Sequence, residues 1–210
     1  MQTAMRKFNP GPAAVVASAE PLRLHLGCGR TILQGWVNVD QVNLPGVDVV
    51  ADLGACRSTP LPFPDDSVGE FLLSHVLEHI QDTLPLMQEL HRIAKHDAFC
   101  TIRVPYGSSD DAWEDPTHVR PYFLQSFGYF SQPFYWRADY GYRGDWQPKE
   151  LALIVDAKDA DGRTADEVID LVFHRRNIVR EMVATLVAIK PIRECRKELQ
   201  VMPAIAISRG

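Results

Sequence analysis

A mostly parallel α/β sheet is the fold class that this chain of 210 residues predicts. Three observations carry it. Short apolar runs alternate with connections from Pro21 onward. The first run, Leu22-Arg23-Leu24-His25-Leu26, stops abruptly at Gly27-Cys28-Gly29, as a buried parallel strand does where it ends at a ligand. Between later runs, Leu84–Ala94 sets Leu86, Met87, Leu90, Ile93 and Ala94 at helical spacing, with Pro85 tolerated in the first turn.

The expected strands are, in order, Leu22–Leu26, Trp36–Asp40, Val47–Ala51, Glu70–Ser74 and Ala98–Val104. Parallel neighbours usually need a crossover of about a dozen residues or more. Here only Gln41–Gly46 separates the second and third runs, and only Arg30–Gly35 lies between the glycine turn and the second run. The early helices are therefore expected to be reduced to turns. In the C-terminal third, Leu151–Asp156 reads as a sixth strand and Asp159-Ala160-Asp161-Gly162 as a turn. Ala165–Ile189 reads as a helix with Ile169, Val172, Phe173, Met182, Val183 and Leu186 on its apolar stripe, stopped by Pro191. Leu199–Ser208 reads as a seventh strand, where Pro203 indicates an edge or bulge.

The length suits one domain with its own core, here residues 21–210, preceded by a loose Ala- and Pro-rich arm over residues 1–20. A minority reading makes that arm a segment that closes over the ligand site. Hydrophobic content of 46% and charged content of 23% are ordinary for a globular protein. The net charge of -5 argues against a sequence-independent grip on nucleic acid. No apolar run is long enough to span a membrane, so no membrane partner is expected. Arg6 and Lys7 are not followed by the apolar core of a signal peptide. The four cysteines, Cys28, Cys56, Cys100 and Cys195, form no C-x-x-C pair, which suits a reduced, cytoplasmic setting. Nothing in the pattern sets the oligomeric state.

Asp40, at the tip of the second run, gives the glycine turn a chemical meaning. A glycine turn and then an acid at the end of the next strand suit a nucleoside: the turn faces the ligand's tail, and the carboxylate accepts from ribose hydroxyls. Structural glycines at a tight turn explain an isolated Gly-x-Gly equally well, so the order of the later motifs decides. The chain reads Leu26-Gly27-Cys28-Gly29, Gly35-Trp36-Val37-Asn38-Val39-Asp40, Ala51-Asp52-Leu53, Pro62-Phe63-Pro64-Asp65-Asp66-Ser67 and Ser74-His75-Val76-Leu77-Glu78-His79. This series resembles the class I S-adenosylmethionine (SAM)-dependent methyltransferases, in the branch that reads LGCG, GWxNxD, ADL, PFPDxS and SHVLEH. The resemblance covers about Leu22 to Tyr106.

The resemblance implies a Rossmann-like, mostly parallel seven-stranded sheet whose last strand runs antiparallel, and SAM as cofactor. It assigns cofactor contacts residue by residue. Gly27, Cys28 and Gly29 match the turn beside the amino-acid part of SAM. Asp40 matches the ribose acid, and Asp52 and Leu53 match the adenine position. Ser74 and His75 end the fourth strand, at the carboxyl edge where ligands bind in open α/β sheets, and His75 is placed to line the methionine end. Each has a structural alternative: Asp40 and Asp52 as turn or cap residues, His75 as a packed strand end, and Cys28 as a small turn residue or, without an evident activator, a nucleophile. Two positions depart from the family. His25 stands where many members carry an acid, and His96-Asp97 stands where a Pro-Gly-Gly-type turn is usual. His75-Val76-Leu77-Glu78-His79 also reads as H-x-x-E-H, an inverted zinc-protease pattern. No metal site is assigned, because the pattern begins at a strand end and lacks a third ligand.

Beyond Val104 the chain turns aromatic, and residues 107–149 read as an acceptor-binding insertion, a satellite core, or both. Within it, His118 is the expected general base, with Asp115 as its orienter. Trp113, Arg120 and Tyr122 are expected to meet the acceptor, Arg120 by a planar fork suited to an anion. The bland alternative makes Asp115 a cap at Pro116 and His118 structural. The function expected is methyl transfer from SAM to a hydroxyl or amine of a small or medium-sized acceptor. The Asp/Asn-Pro-Pro-aromatic motif of DNA amino-methylation is absent after the fourth strand. Two rivals stand: a non-catalytic SAM-binding regulatory module, and an NAD-dependent oxidoreductase, which the missing third glycine disfavours.

Overall fold

The computed structural model describes residues 20–210, so the expected arm, apart from Glu20, lies outside the described residues. The elements in chain order are β1 (Leu22–Leu26), β2 (Val37–Asp40), β3 (Val49–Val50), β4 (Val68–Ser74), α1 (Thr83–Ile93) and β5 (Ala94–Pro105). They continue with α2 (Asp111–Glu114), β6 (Trp146–Val155), α3 (Ala157–Ala160), α4 (Ala165–His174), β7 (Val179–Ala188) and β8 (Ala204–Arg209). One eight-stranded sheet runs in the order β3-β2-β1-β4-β5-β7-β6-β8. The first five strands are mutually parallel, as expected. The strand order reverses between β1 and β4, and that is where open α/β sheets bind ligands, outside the carboxyl ends.

Three details differ from expectation. The helix placed at Ala165–Ile189 ends at His174, and residues 179–188 form β7, the antiparallel strand between β5 and β6. Asn177, at φ 58°, makes the break. Met182 and Leu186 lie four apart and so satisfy a helical and a two-residue period alike. Fully buried Ala184 and Ala188, between and beyond them, show the strand period. The last strand in the chain, β8, is thus an eighth, parallel to β6 at the sheet edge. Trp146–Lys149, expected in the insertion, opens β6, where Pro148 sits at a register shift that accommodates its missing N–H.

The short early connections work because one side chain replaces a helix. No helix lies between β1 and β2, and a single 3-10 turn, Leu53–Ala55, comes after β3. Buried Asn38 fills the gap. Its Oδ1 accepts from the Leu33 N–H at 2.9 Å, and its Nδ2 donates to the Leu33 and Trp36 carbonyls at 3.1 and 3.2 Å. Asp48 accepts from the Asn38 N–H at 2.8 Å and from Nδ2 at 3.1 Å. One amide thus ties the loop before β2 to the loop before β3. The Pro62–Ser67 motif is pinned in a similar way. Buried Glu89 accepts from the Leu61 N–H at 2.7 Å and from Arg92, whose guanidinium also donates to the Phe63 carbonyl and pairs with Asp65. At the turn inside β5, Asp97 takes a left-handed φ of 62°.

The core lies mainly on one face of β4, β5 and β7, where buried Phe71, Leu73, Ile102, Val104, Met182 and Leu186 alternate with half-buried or exposed residues such as Phe99 and Arg103. α1 buries Leu86, Met87, Leu90 and Ile93 completely. Trp146 locks the start of β6 onto this layer. Its ring meets Phe71 edge-on at 5.7 Å, and its indole N–H donates to the Met87 carbonyl at 2.9 Å. Beside it, fully buried Asp145 accepts from both ends of the Arg193 guanidinium at 2.8 Å and from the Gln132 N–H at 3.2 Å. No helix among the described residues is long and apolar enough to cross a membrane.

Trp146 is fully buried and Trp136 is 38% exposed, which sets up a matched pair. Trp146→Ala is expected to cost about 3–5 kcal/mol in urea unfolding monitored by circular dichroism. Trp136→Ala is expected to cost less than about 1 kcal/mol.

Candidate cofactor and acceptor site

A cavity of about 590 Å³ opens at the carboxyl ends of β1, β2 and β4. Gly27, Asp40, Asp52, Leu53 and His75 line it together, as the sequence predicts, with Gln81 and Thr117 added to them. Gly27 is required twice over. Its φ is 65°, a left-handed backbone, and a Cβ there would stand 2.5 Å from Cγ2 of Val76. The end of β1 and the turn after β4 can approach only because that atom is missing. Gly29 is left-handed too, at φ 53°, but nothing lies within 4 Å of the Cβ position.

Asp40 holds the turn. Its Oδ2 accepts from the Gly29 N–H at 2.8 Å, and its Oδ1 accepts from the Val42 N–H at 2.9 Å. Each oxygen keeps a further lone pair, so turn-holding and ribose-holding are compatible. Asp52 likewise caps the Leu53–Ala55 turn through the Gly54 N–H at 2.8 Å while facing the cavity. Cys28 is buried beside the turn and does not line the cavity; its N–H donates to the Val39 carbonyl at 3.1 Å. Burial and nearby Asp40 push its thiol pKa up, which disfavours the thiolate a nucleophile needs. Ser74 and Gly29 do not line the cavity either. His25 points away from it, buried with Nδ1 3.4 Å from Asn38 Oδ1.

His75 stands just after β4 with φ 55°, its N–H held by the Arg103 carbonyl at 2.9 Å. Its Nδ1 lies 3.3 Å from Glu78 Oε1 and its Nε2 lies 3.0 Å from Glu181 Oε1. Glu78 first, and Glu181 with it, outweigh partial burial and raise its pKa above the ordinary 6.5. Both ring nitrogens thus face carboxylates, and the partly exposed ring stands at the cavity wall.

A second cavity of about 500 Å³ adjoins the first, and Gln81 lines both. Its wall is aromatic, from Tyr122, Tyr129, Tyr135 and Tyr140, with Arg120 at the rim. Arg120 is exposed and has no carboxylate partner among the described residues, whereas Arg57 across the cavity is paired with Asp82 at 2.9 Å. Tyr122 is mainly a core residue. It is 2% exposed, stacks on Phe127 at 5.5 Å and donates its hydroxyl to the Leu77 carbonyl at 3.3 Å. Trp113 lines neither cavity; it is exposed, with its indole N–H on the Gly107 carbonyl at 2.9 Å. The insertion thus forms a cavity wall, and its Phe127, Phe130 and Tyr142 join the main core rather than a satellite one.

His118 and Asp115 are near neighbours without a hydrogen bond, Nε2 and Oδ2 being 3.9 Å apart. The expected orienter is replaced by the Ala112 carbonyl, 3.2 Å from Nδ1 of His118. Asp115 instead accepts from the Thr117 N–H at 2.8 Å and hydroxyl at 2.6 Å, and these bonds hold its pKa below the usual value. Thr117 in turn meets Nδ1 of His79 at 2.9 Å, and the His79 and His118 rings pack edge-to-face at 4.8 Å. Sequence reading missed Gln81 and Thr117. Thr117 lies inside the titratable Asp115–His118 stretch, while nothing in the pattern marks Gln81.

The two glycines allow a direct comparison. Gly29→Ala is expected to lose about 1–2 kcal/mol of unfolding free energy, from backbone strain alone. Gly27→Ala is expected to lose more, because the methyl group must also displace Val76. Equal losses in chemical denaturation would contradict the close approach.

Known proteins share this architecture. Residues 24–102 match the family model of a methyltransferase domain. A search of curated proteins finds no significant match. Among solved structures, a SAM-dependent methyltransferase from Archaeoglobus fulgidus is similar at TM-score 0.55 and 16% identity, covering 81% of this chain and 87% of that one. The YcgJ protein of Bacillus subtilis is similar at TM-score 0.50 and 15% identity, over 85% and 96% of the two chains. A methyltransferase from Haloferax volcanii, solved with the Trm112 activator, is similar at TM-score 0.50 and 16% identity, over 82% and 84%. The chain has the Rossmann-like class I methyltransferase fold, and the matched methyltransferase domain supports S-adenosyl-L-methionine as its cofactor.

Proposed function

We propose that this chain transfers the methyl group of SAM to a hydroxyl or amine of a small or medium-sized acceptor. The observation that carries the reading is the pair of adjoining cavities, one polar at the strand ends and one aromatic beneath the insertion, that share Gln81. In this reading Asp40 accepts from the ribose hydroxyls, Asp52 and Leu53 meet the adenine, and the methionine end points toward Gly27 and His75. The sulfonium methyl then faces the aromatic cavity. Transfer is an in-line displacement: the acceptor's oxygen or nitrogen forms the bond to the methyl carbon as the carbon–sulfur bond breaks. The electron pair stays on sulfur in S-adenosylhomocysteine. The chief task of the protein is alignment.

A dinucleotide fits less well. Pyrophosphate binding in Rossmann sheets uses the helix N-terminus just after the glycine turn. Residues 27–36 here contain no helix. SAM carries no phosphate and does not need one. A hydroxyl acceptor is preferred over an amine because the Nε2 of His118, next to cavity-lining Thr117, makes no hydrogen bond and can serve the loss of a proton, directly or by holding a cation. Unpaired Arg120 at the rim of an aromatic cavity favours an acceptor with a ring and an anionic group.

The test is S-adenosylhomocysteine release from SAM with a panel of phenols and amines, each with and without a carboxylate. Turnover is expected for the carboxylate-bearing phenols. Arg120→Ala is expected to raise their KM roughly 10- to 100-fold with a smaller change in kcat, the loss of a charge-assisted hydrogen bond. An unchanged KM would contradict the role of Arg120. SAM binding without turnover on any acceptor would favour the non-catalytic module.

A further inference from the structure

We propose that Glu78, His79 and His118 form a site for a first-row divalent transition-metal cation, of the Zn2+ type, beside the strand-end cavity, which His79 lines. One ligand atom from each residue lies within 4.8 Å of the others. Bonds of about 2.0–2.2 Å in a tetrahedral shell set ligand atoms about 3.4 Å apart, so small side-chain rotations close the set. Two imidazoles and a carboxylate are the ligand chemistry of first-row divalent ions rather than of Mg2+ or Ca2+.

The independent observation is the state of Glu78. Its side chain is 2% exposed, and neither carboxylate oxygen has a hydrogen-bond donor. Nδ1 of His75 lies 3.3 Å from Oε1 but outside hydrogen-bond geometry, and that ring is shared with Glu181. A buried carboxylate is costly unless cations and donors meet it, and one imidazole shared between two carboxylates leaves Glu78 capacity for a further cation.

The two imidazoles are set for ligation. The Thr117 hydroxyl donates to Asp115 at 2.6 Å, so at 2.9 Å it accepts from the Nδ1–H of His79. The Nδ1–H of His118 is taken by the Ala112 carbonyl at 3.2 Å. Both Nε2 atoms are left with their lone pairs available. Fixing the other ring nitrogen in this way is how proteins orient metal-binding histidines. The H-x-x-E-H stretch lacked a third ligand in the sequence; the fold supplies His118 from the insertion and leaves His75 outside the set. Three protein ligands keep a fourth position open, and His79 and Thr117 line the cofactor cavity onto which it opens. One consequence rests on the methyltransferase reading: an acceptor hydroxyl in that position is acidified by the cation. His118 then holds the cation and does not itself take the proton.

The test uses chelator-stripped full-length protein and no SAM, so it succeeds or fails independently of SAM binding. Equilibrium dialysis against Zn2+, and the visible absorption of Co2+ in its place, are expected to give one ion per chain. His79→Ala and His118→Ala are expected to weaken binding roughly a hundredfold or more. Thr117→Val, acting through His79, is expected to weaken it about 10- to 100-fold. Glu78→Gln keeps the shape and removes the buried charge. Metal-free, it is expected to melt at or above the wild type, and Zn2+ is expected to raise the melting temperature of the wild type but not of this variant. Absence of bound ion in the wild type, or equal binding by wild type and the two histidine variants, would overturn the site. So would a metal-free Glu78→Gln protein that melts lower and gains as much from Zn2+ as the wild type.

Discussion

The missing side chain of Gly27 is the constraint on which the site depends. Where the strand order reverses, the end of β1 must turn left-handed and pass against Val76, with 2.5 Å between Cγ2 and the position of a Cβ. That approach sets the floor of the cofactor cavity. It also brings the segment after β4, with His75, Glu78 and His79, beside the carboxylates at the ends of β2 and β3. Asp40 then fixes the turn from the other side by accepting from the Gly29 N–H.

Around that point, polar hubs hold the short connections that carry no helix. Asn38 joins two loops by five hydrogen bonds. Glu89 and Arg92 pin the segment before β4, and Asp145 with Arg193 ties the insertion to the C-terminal strands. Each hub is a buried polar group whose capacity is met locally, and such groups specify one arrangement of loops that hydrophobic burial alone would leave open. Glu78 is the exception: neither carboxylate oxygen meets a hydrogen-bond donor, and its neighbour in the chain, His79, lines the cavity.

Legibility tracked the physics of each segment. β1 matched its expected bounds because an apolar run and a glycine stop are both local signals. The turn-like connections after β1 and β3 were visible as a shortage of residues. β7 was missed because Met182 and Leu186 suit helix and strand periods equally, and only its neighbours β5 and β6 decide between them. Asp40 and Asp52 were legible as acids at strand ends. The separation of His118 from Asp115 was not, because sequence adjacency says nothing of which way two side chains point. Gln81, which lines both cavities, carries no local signal at all.

The proposed binding of SAM at the strand ends assigns the ribose contact to Asp40, and calorimetric titration of the wild type and Asp40→Ala with SAM, S-adenosylhomocysteine and NAD puts that to the test. Saturable binding of both sulfur nucleosides to the wild type, its loss in the variant and no heat from NAD are expected. Tight NAD binding, or SAM binding unchanged by Asp40→Ala, would contradict the assignment of this cavity to SAM.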